Sequence, residues 1–150
     1  YARENGFGVR YIEFMPLDAD GRWDRDAVVP SAEVIAAIGA VFPLERLPRD
    51  HEPAEVHAYR DGQGTVGVIG SVTEPFCSSC DRVRLTADGK VRACLFATDE
   101  ADVRAVLRAG GDDDAVASVL TGTVAGKWAG HGISSVAFVR PKRSMSEIGG

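Results

Sequence analysis

Three cysteines stand in the chain as Cys77-x2-Cys80-x13-Cys94, and each can supply a thiolate. The first pair lies in the turn-like stretch Pro75-Phe76-Cys77-Ser78-Ser79-Cys80. The third follows an Asp88-Gly89 step that reads as a tight hairpin. Such a hairpin folds Cys94 back towards the pair, so three thiolates converge. Three thiolates with one His make a zinc site. Three thiolates can equally hold three irons of a [4Fe–4S] cube, leaving the fourth iron for a nitrogen or oxygen ligand. The zinc reading draws on His51, His57 or His131, none of which has ligand-like spacing to a cysteine. Two further readings stay open: small buried core residues, and a redox pair. The redox pair wants a helix after Cys77, whereas Arg82-Val-Arg-Leu-Thr86 reads as a strand. On a strand, Arg82 and Arg84 point to one side of Val83. Two guanidinium groups there form an anion clamp suited to phosphate or developing negative charge. The plainer alternative is a solvated face paired with carboxylates.

The elements that must position these residues fall into two patterns. Tyr1–Asn5 reads as a helix end, with Gly6 and Gly8 after it, and Val9–Met15 as a β-branched and aromatic strand stopped by Pro16. That is an αβ step of the kind found in α/β sheets and barrels. Leu17–Val29 is a polar loop, and Ser31 is placed to cap a helix running to about Val41. Pro43, Pro48 and Pro53 mark a linker. Beyond it, Glu55–Arg60 and Thr65–Gly70 form a hairpin, and Arg82–Thr86 with Lys90–Cys94 form another. Asp102–Arg108 and Asp113–Leu120 read as helices, and 125–150 as an irregular tail.

The chain has 150 residues, of which 45% are hydrophobic and 26% charged, a globular balance that argues against wholesale disorder. The 22 acids against 17 bases give a net charge of −5, which speaks against a duplex nucleic-acid partner. Apolar runs are short, as in Val66–Ile69, far from the roughly 20 residues a membrane span needs. Fourteen of the bases are Arg, and the lysines are Lys90, Lys127 and Lys142. An odd number of cysteines fits a metal or redox site in a reducing cytoplasm better than a secreted disulfide scaffold. The missing initiator Met points to a piece of a longer chain.

The stretch Gly70-Ser-Val-Thr-Glu-Pro-Phe-Cys77-Ser-Ser-Cys80-Asp-Arg82-Val-Arg84-Leu-Thr-Ala-Asp-Gly-Lys-Val-Arg-Ala-Cys94-Leu-Phe strongly resembles the C-terminal cluster region of the GTP 3′,8-cyclase family. These are radical S-adenosylmethionine (SAM) enzymes that open molybdenum cofactor biosynthesis. The resemblance extends to Val9-Arg10-Tyr-Ile-Glu-Phe-Met15-Pro, to Val29-Pro-Ser-Ala-Glu33 and to the ending Arg143-Ser-Met-Ser-Glu-Ile-Gly149-Gly150. It implies an α/β fold: the end of an incomplete (βα) barrel over 1–47, then a small α+β C-terminal domain over 48–150. That domain carries antiparallel hairpins and an iron–sulfur cluster.

The resemblance further implies that Cys77, Cys80 and Cys94 hold a [4Fe–4S] cluster whose open iron meets the guanine base. Arg82, Val83 and Arg84 would line the GTP site, with Arg82 and Arg84 catalytic. Arg10 would contact the triphosphate, Met15 would lie at the SAM site, and the Gly149-Gly150 tail would enter the active site. A second [4Fe–4S] cluster, which reduces SAM to a 5′-deoxyadenosyl radical, belongs to an N-terminal Cys-x3-Cys-x2-Cys motif. This chain has no such motif, so these 150 residues alone are expected to be inactive. GTP and SAM are the expected partners, with a reductant protein of unknown identity, in the cytoplasm and without membrane or nucleic acid. A homodimer is among the assemblies open to the chain. The competing classes are a zinc-stabilised interaction module and a degenerate paralogue without catalysis.

Overall fold

A computed structural model describes residues 1–18, 20–127, 130, 132–133 and 138–148. The chain divides into two compact units, one of Tyr1–Met15 with Trp23–Cys80, the other of Pro16–Arg22 with Asp81–Gly150. Among the described residues no helix is long and apolar enough to cross a membrane.

The first unit is built on a mixed sheet of β1 (Val9–Ile12), β2 (Leu44–Arg46), β3 (Glu55–Tyr59) and β4 (Thr65–Ile69), in the order β1-β4-β3-β2. β1 runs parallel to β4, with Arg10 opposite Gly67, while β2 and β3 are antiparallel to their neighbours. The helix α1 (Ser31–Val41) packs on β1 and β4. Its half-buried Val34, Ile35 and Ile38 recur at helical spacing, the pattern of a helix with one apolar stripe. Pro43 follows at once and cannot continue it. The hairpin of β3 and β4 falls where the alternation of residue types placed it. Val66 and Val68 on β4 are buried, as a strand covered on one face requires.

The second unit carries an antiparallel sheet of β5 (Arg84–Leu85), β6 (Lys90–Arg92) and β7 (Ala101–Asp102). Two helices follow, α2 (Val103–Arg108) and α3 (Asp113–Ala125), which pack together and against β6. Each begins on an aspartate whose side chain accepts a backbone N–H three residues on. Asp102 accepts from Ala105 at 2.8 Å and Asp112 from Ala115 at 3.0 Å. Such caps satisfy donors that a helix leaves open at its start. Four residues, Thr86 to Gly89, connect β5 and β6. Gly89 N–H donates to the Thr86 carbonyl at 2.9 Å, and Thr86 N–H to the Lys90 carbonyl at 2.8 Å. Gly89 sits at φ +81°, which only a residue without Cβ adopts cheaply.

Several expectations are corrected. Tyr1–Asn5 is a run of turns rather than a helix end. The proline segment contains β2, because Leu44–Arg46 pairs with β3. Ser31 does not cap α1: it is the first helical residue, Pro30 is the cap, and the Ser31 hydroxyl is bound to Glu13. The strands near the cysteines are shorter than expected, and α3 runs on to Ala125. The mixed α/β content and the antiparallel hairpins are as expected.

Candidate metal centre and its supports

Cys77 and Cys80 flank a single 3-10 turn, Cys77–Ser79, and Cys80 N–H donates to the Cys77 carbonyl at 3.2 Å. Both side chains are half-buried. The turn is fed by the segment after β4, which a buried carboxylate holds from behind. Glu13, the residue after β1, is only 5% exposed, yet both its oxygens are saturated with donors. Oε1 accepts from Ser31 N–H at 2.8 Å and Ser31 Oγ at 2.9 Å, and also from Thr73 Oγ1. Oε2 accepts from the N–H groups of Val72 and Thr73 at 2.7 and 2.8 Å. Burial pushes the Glu13 carboxyl up, but the bonds from Thr73, Ser31 and Val72 outweigh it and hold the group below its usual range. A small open cavity lies beside Glu13, lined also by Tyr11, Phe14, Val29, Ser31 and Val68. Glu13 spends its acceptors on its own chain, so its part there is architectural: it ties the end of β1, the start of α1 and the approach to Cys77 together.

Cys94 is organised differently. It lies two residues beyond β6, in the second unit. Its Sγ accepts the Phe96 backbone N–H at 3.4 Å, which fixes the sulfur against the turn that follows it. Ahead of it, the Lys127 ammonium donates to the Ala93 carbonyl at 2.8 Å and to the Arg82 carbonyl. Behind it, Arg92 is 2% exposed and reaches across the following turn to the Ala97 carbonyl and to Glu100 Oε1 at 2.5 Å. Glu100 is shared with Arg143, whose Nε lies 2.8 Å away and whose Nη2 also reaches Asp88 Oδ2 at 2.7 Å. The bond from Arg143, seconded by Thr86, brings the Asp88 carboxyl down to about 2. Burial pushes Glu100 up, and Arg92 and Arg143 more than reverse it, so that it too sits low.

None of the three thiols is joined in a disulfide, so the donor set is three sulfurs that can ionise. That set fits a cluster with one iron not held by cysteine. Among the described residues, no group of three His, Cys, Asp or Glu is gathered as the ligands of one ion would be. His57 is buried on β3 with Nε2 3.5 Å from Glu55 Oε1, His51 is exposed beside Asp50, and His131 lies outside the described residues.

Of the arginines, Arg84 is half-buried on β5 opposite Arg92, while Arg82 precedes the strand and is exposed, as is Val83. With β5 beginning only at Arg84, strand alternation no longer places the two guanidinium groups on one side. Arg10 is exposed on β1, and its stem lies across Gly67. A Cβ at Gly67 would meet Arg10 Cδ at 2.6 Å and Nε at 2.9 Å, so the missing side chain makes the groove in which Arg10 rests. Met15 is half-buried just past β1, in a stretch anchored by Trp23 Nε1 donating to the Phe14 carbonyl at 2.8 Å. Gly149 and Gly150 lie outside the described residues, but the tail before them is fixed. Ile148 is fully buried, and Met145 N–H donates to the Leu17 carbonyl at 3.0 Å. Sequence reasoning missed Glu13, Arg92, Lys127 and Arg143 as supports. For Lys127 the one available signal was the scarcity of lysine.

Comparison with known proteins places these observations. Residues 7–133 match the Molybdenum Cofactor Synthesis C family. A protein named GTP 3′,8-cyclase from Mycobacterium sp. strain KMS is 47% identical over 100% of this chain, which covers 43% of that relative. One of the same name from Rhodococcus opacus strain B4 is 48% identical over 97% of this chain and 42% of its own length. A protein named GTP 3′,8-cyclase 2 from Mycobacterium tuberculosis strain CDC 1551 / Oshkosh is 45% identical over 100% of this chain and 43% of its own. The chain thus spans 43% of the first of these curated relatives and matches their C-terminal part. With the profile matched over 7–133 and identity near one half along its whole length, the chain belongs to the Molybdenum Cofactor Synthesis C family.

Proposed function

We propose that this chain is the substrate-holding part of a GTP 3′,8-cyclase, with residues 1–47 closing a partial barrel and 48–150 forming the C-terminal domain. The complete enzyme would convert GTP to (8S)-3′,8-cyclo-7,8-dihydroguanosine 5′-triphosphate, with SAM as radical source and an external reductant. The observation that carries the reading is identity near one half over the whole chain to relatives bearing that name. Cys77, Cys80 and Cys94 would hold a [4Fe–4S] cluster, and the bond from Phe96 N–H to Cys94 Sγ supports a fixed place for that sulfur. When bound, the group would supply a Lewis-acidic contact for a purine nitrogen or oxygen.

The chain's own residues do the rest. Arg82 and Arg84 bring positive charge beside the cysteines and would hold the nucleotide and balance charge developing on it, and Val83 contributes backbone between them. Arg10, seated over Gly67, would meet the triphosphate with a planar fork suited to phosphate oxygens. Met15 would face SAM, and Gly149 and Gly150 would enter a space too narrow for side chains. The zinc-stabilised module and the inactive paralogue make opposite predictions for one experiment. The full-length protein is reconstituted anaerobically with iron and sulfide, then examined by metal analysis, Mössbauer spectroscopy and GTP turnover. A second [4Fe–4S] cluster with one iron not bound by cysteine, and formation of the cyclic product, are expected. Full occupancy by zinc with no iron retained would overturn the assignment.

A further inference from the structure

The short β5–β6 ladder stops at Arg84 opposite Arg92, and the two strands part just where Arg82 and Cys94 lie. At that open end stands one ammonium group. Lys127 Nζ donates to the Ala93 carbonyl at 2.8 Å and to the Arg82 carbonyl, joining residues 45 and 34 positions away in sequence. Lys127 follows α3 directly: its N–H donates to the Val124 carbonyl at 3.0 Å, so the helix end fixes the origin of the side chain. The helix itself packs on β6 and β7, which fixes its end relative to the hairpin. A lysine suits this place because a point charge with three rotatable donors can serve two carbonyls that no planar group need match.

We infer that Lys127 is the positioning residue for the third cluster ligand. It closes the open end of the hairpin and thereby sets the backbone that presents Cys94 and Arg82. The inference rests on the proposed cluster at Cys77, Cys80 and Cys94. Two features make the closure consequential. Ala93 is the residue immediately before Cys94, so the carbonyl that Lys127 holds belongs to the peptide group leading into the ligand. The following turn is held by Arg92 and by Ala97 N–H, which donates to the Cys94 carbonyl at 3.1 Å. With both flanks fixed, Cys94 Sγ keeps its bond from Phe96 N–H. Without Lys127 the upstream flank is held only as far as Arg92, where the ladder ends.

The test uses the full-length protein with the cysteines of its N-terminal motif replaced by alanine, so that iron reports on this site alone. Lys127→Met and Lys127→Arg are compared with the parent after anaerobic reconstitution. Lys127→Met is expected to weaken retention of the cluster about tenfold against a chelator, the range seen when a support behind a metal ligand is removed. Its cluster should also show an altered electron paramagnetic resonance signature when reduced, while the melting temperature stays within a few degrees of the parent. Lys127→Arg, which keeps the charge and several N–H donors but in a planar fork, is expected to recover part of the retention. Retention and spectrum unchanged in Lys127→Met would overturn the inference. If the parent itself holds no iron, the cluster assignment fails. The positional claim is then decided by amide hydrogen exchange in the metal-free protein. Faster exchange at 82–85 and 92–96 in Lys127→Met supports it, and unchanged exchange there overturns it.

Discussion

Two of the three thiols and the third differ in what holds the backbone around them. Cys77 and Cys80 stand in a turn closed by their own backbone, with Glu13 accepting from Val72 and Thr73 upstream and the Arg49 guanidinium 5.0 Å from the centre of the Phe76 ring. Cys94 has a local turn as well, closed by Ala97 N–H on its carbonyl at 3.1 Å, and charged side chains hold the backbone on either side: Lys127 at Ala93, and the neighbouring Arg92 at Ala97 and Glu100, which Arg143 shares. The first pair is therefore framed by its own short segment and by Glu13, and Cys94 by contacts made within the second unit. Disturbing the first should cost stability broadly. Disturbing the second should cost geometry, with an acid-sensitive component.

The largest expected effect comes from the groups that would touch the nucleotide. In the full-length enzyme, Arg82→Ala or Arg84→Ala should lower the rate of GTP cyclisation by about 10²-fold or more, as loss of a charge-stabilising donor does. The denaturation midpoint should move little, and near-normal turnover in both variants would remove them from the site. Next comes the carboxylate behind the pair. Glu13→Gln puts an NH2 group among donors and should destabilise the protein by about 3 kcal/mol in chemical denaturation, the size expected when buried donors lose their acceptor. A loss under about 0.5 kcal/mol would show that Glu13 does not hold the segment leading to Cys77.

A smaller effect belongs to the acid network around Arg143. Asp88 titrates near 2 in the folded protein, below the usual value of 3.8, because Arg143 and Thr86 favour its charged form. A depressed folded value means stability that is present above the unfolded value and lost as pH falls through the folded one. The contribution should therefore fade between about pH 4 and pH 2, and Asp88→Asn should flatten that part of the stability curve. An unchanged acid limb would show that the Arg143 pairing is not felt. The least stability change is expected for Gly67→Ala. The new methyl group pushes on the flexible stem of Arg10, not on the backbone, so the fold should tolerate it while the KM for GTP rises. An unaltered KM would separate Arg10 from triphosphate binding.

What could be read in the residues themselves follows the range of the interactions. The β3–β4 hairpin, the extent of α1 and the turn at Cys77 were legible because alternation, helical spacing and turn residues act over a few positions. The cysteine spacing and the Gly89 loop were legible for the same reason. Ser31 was misread as a cap because its hydroxyl goes to Glu13, 18 positions away. The strand expected over Arg82–Thr86 shrank to Arg84–Leu85, and the carbonyl of Arg82 faces Lys127 instead. Glu13 looks in sequence like one more acidic residue in an apolar strand. Contacts across 18, 59 and 60 positions show it as a buried acceptor. Family likeness supplied the roles assigned to Arg10, Met15 and the diglycine, which no local pattern would have suggested.

The segment Pro16–Arg22 sits between two stretches of the first unit in sequence yet belongs to the second. Its partners arrive late: Asp18 binds Arg140 across 122 positions, and the Leu17 carbonyl receives Met145 N–H. On a ribosome adding about 5–20 residues per second, Asp18 would wait roughly 6–25 seconds after its own synthesis before Arg140 is made. During that interval Leu17, buried in the finished protein, has no place to go. Synthesis therefore leaves this short segment open to a nascent-chain chaperone or a protease until Arg140 and Met145 are made, and it cannot be trimmed away as a loop. A shortened chain beginning at Asp81 would be born without it, leaving Arg140 with no Asp18 to grip.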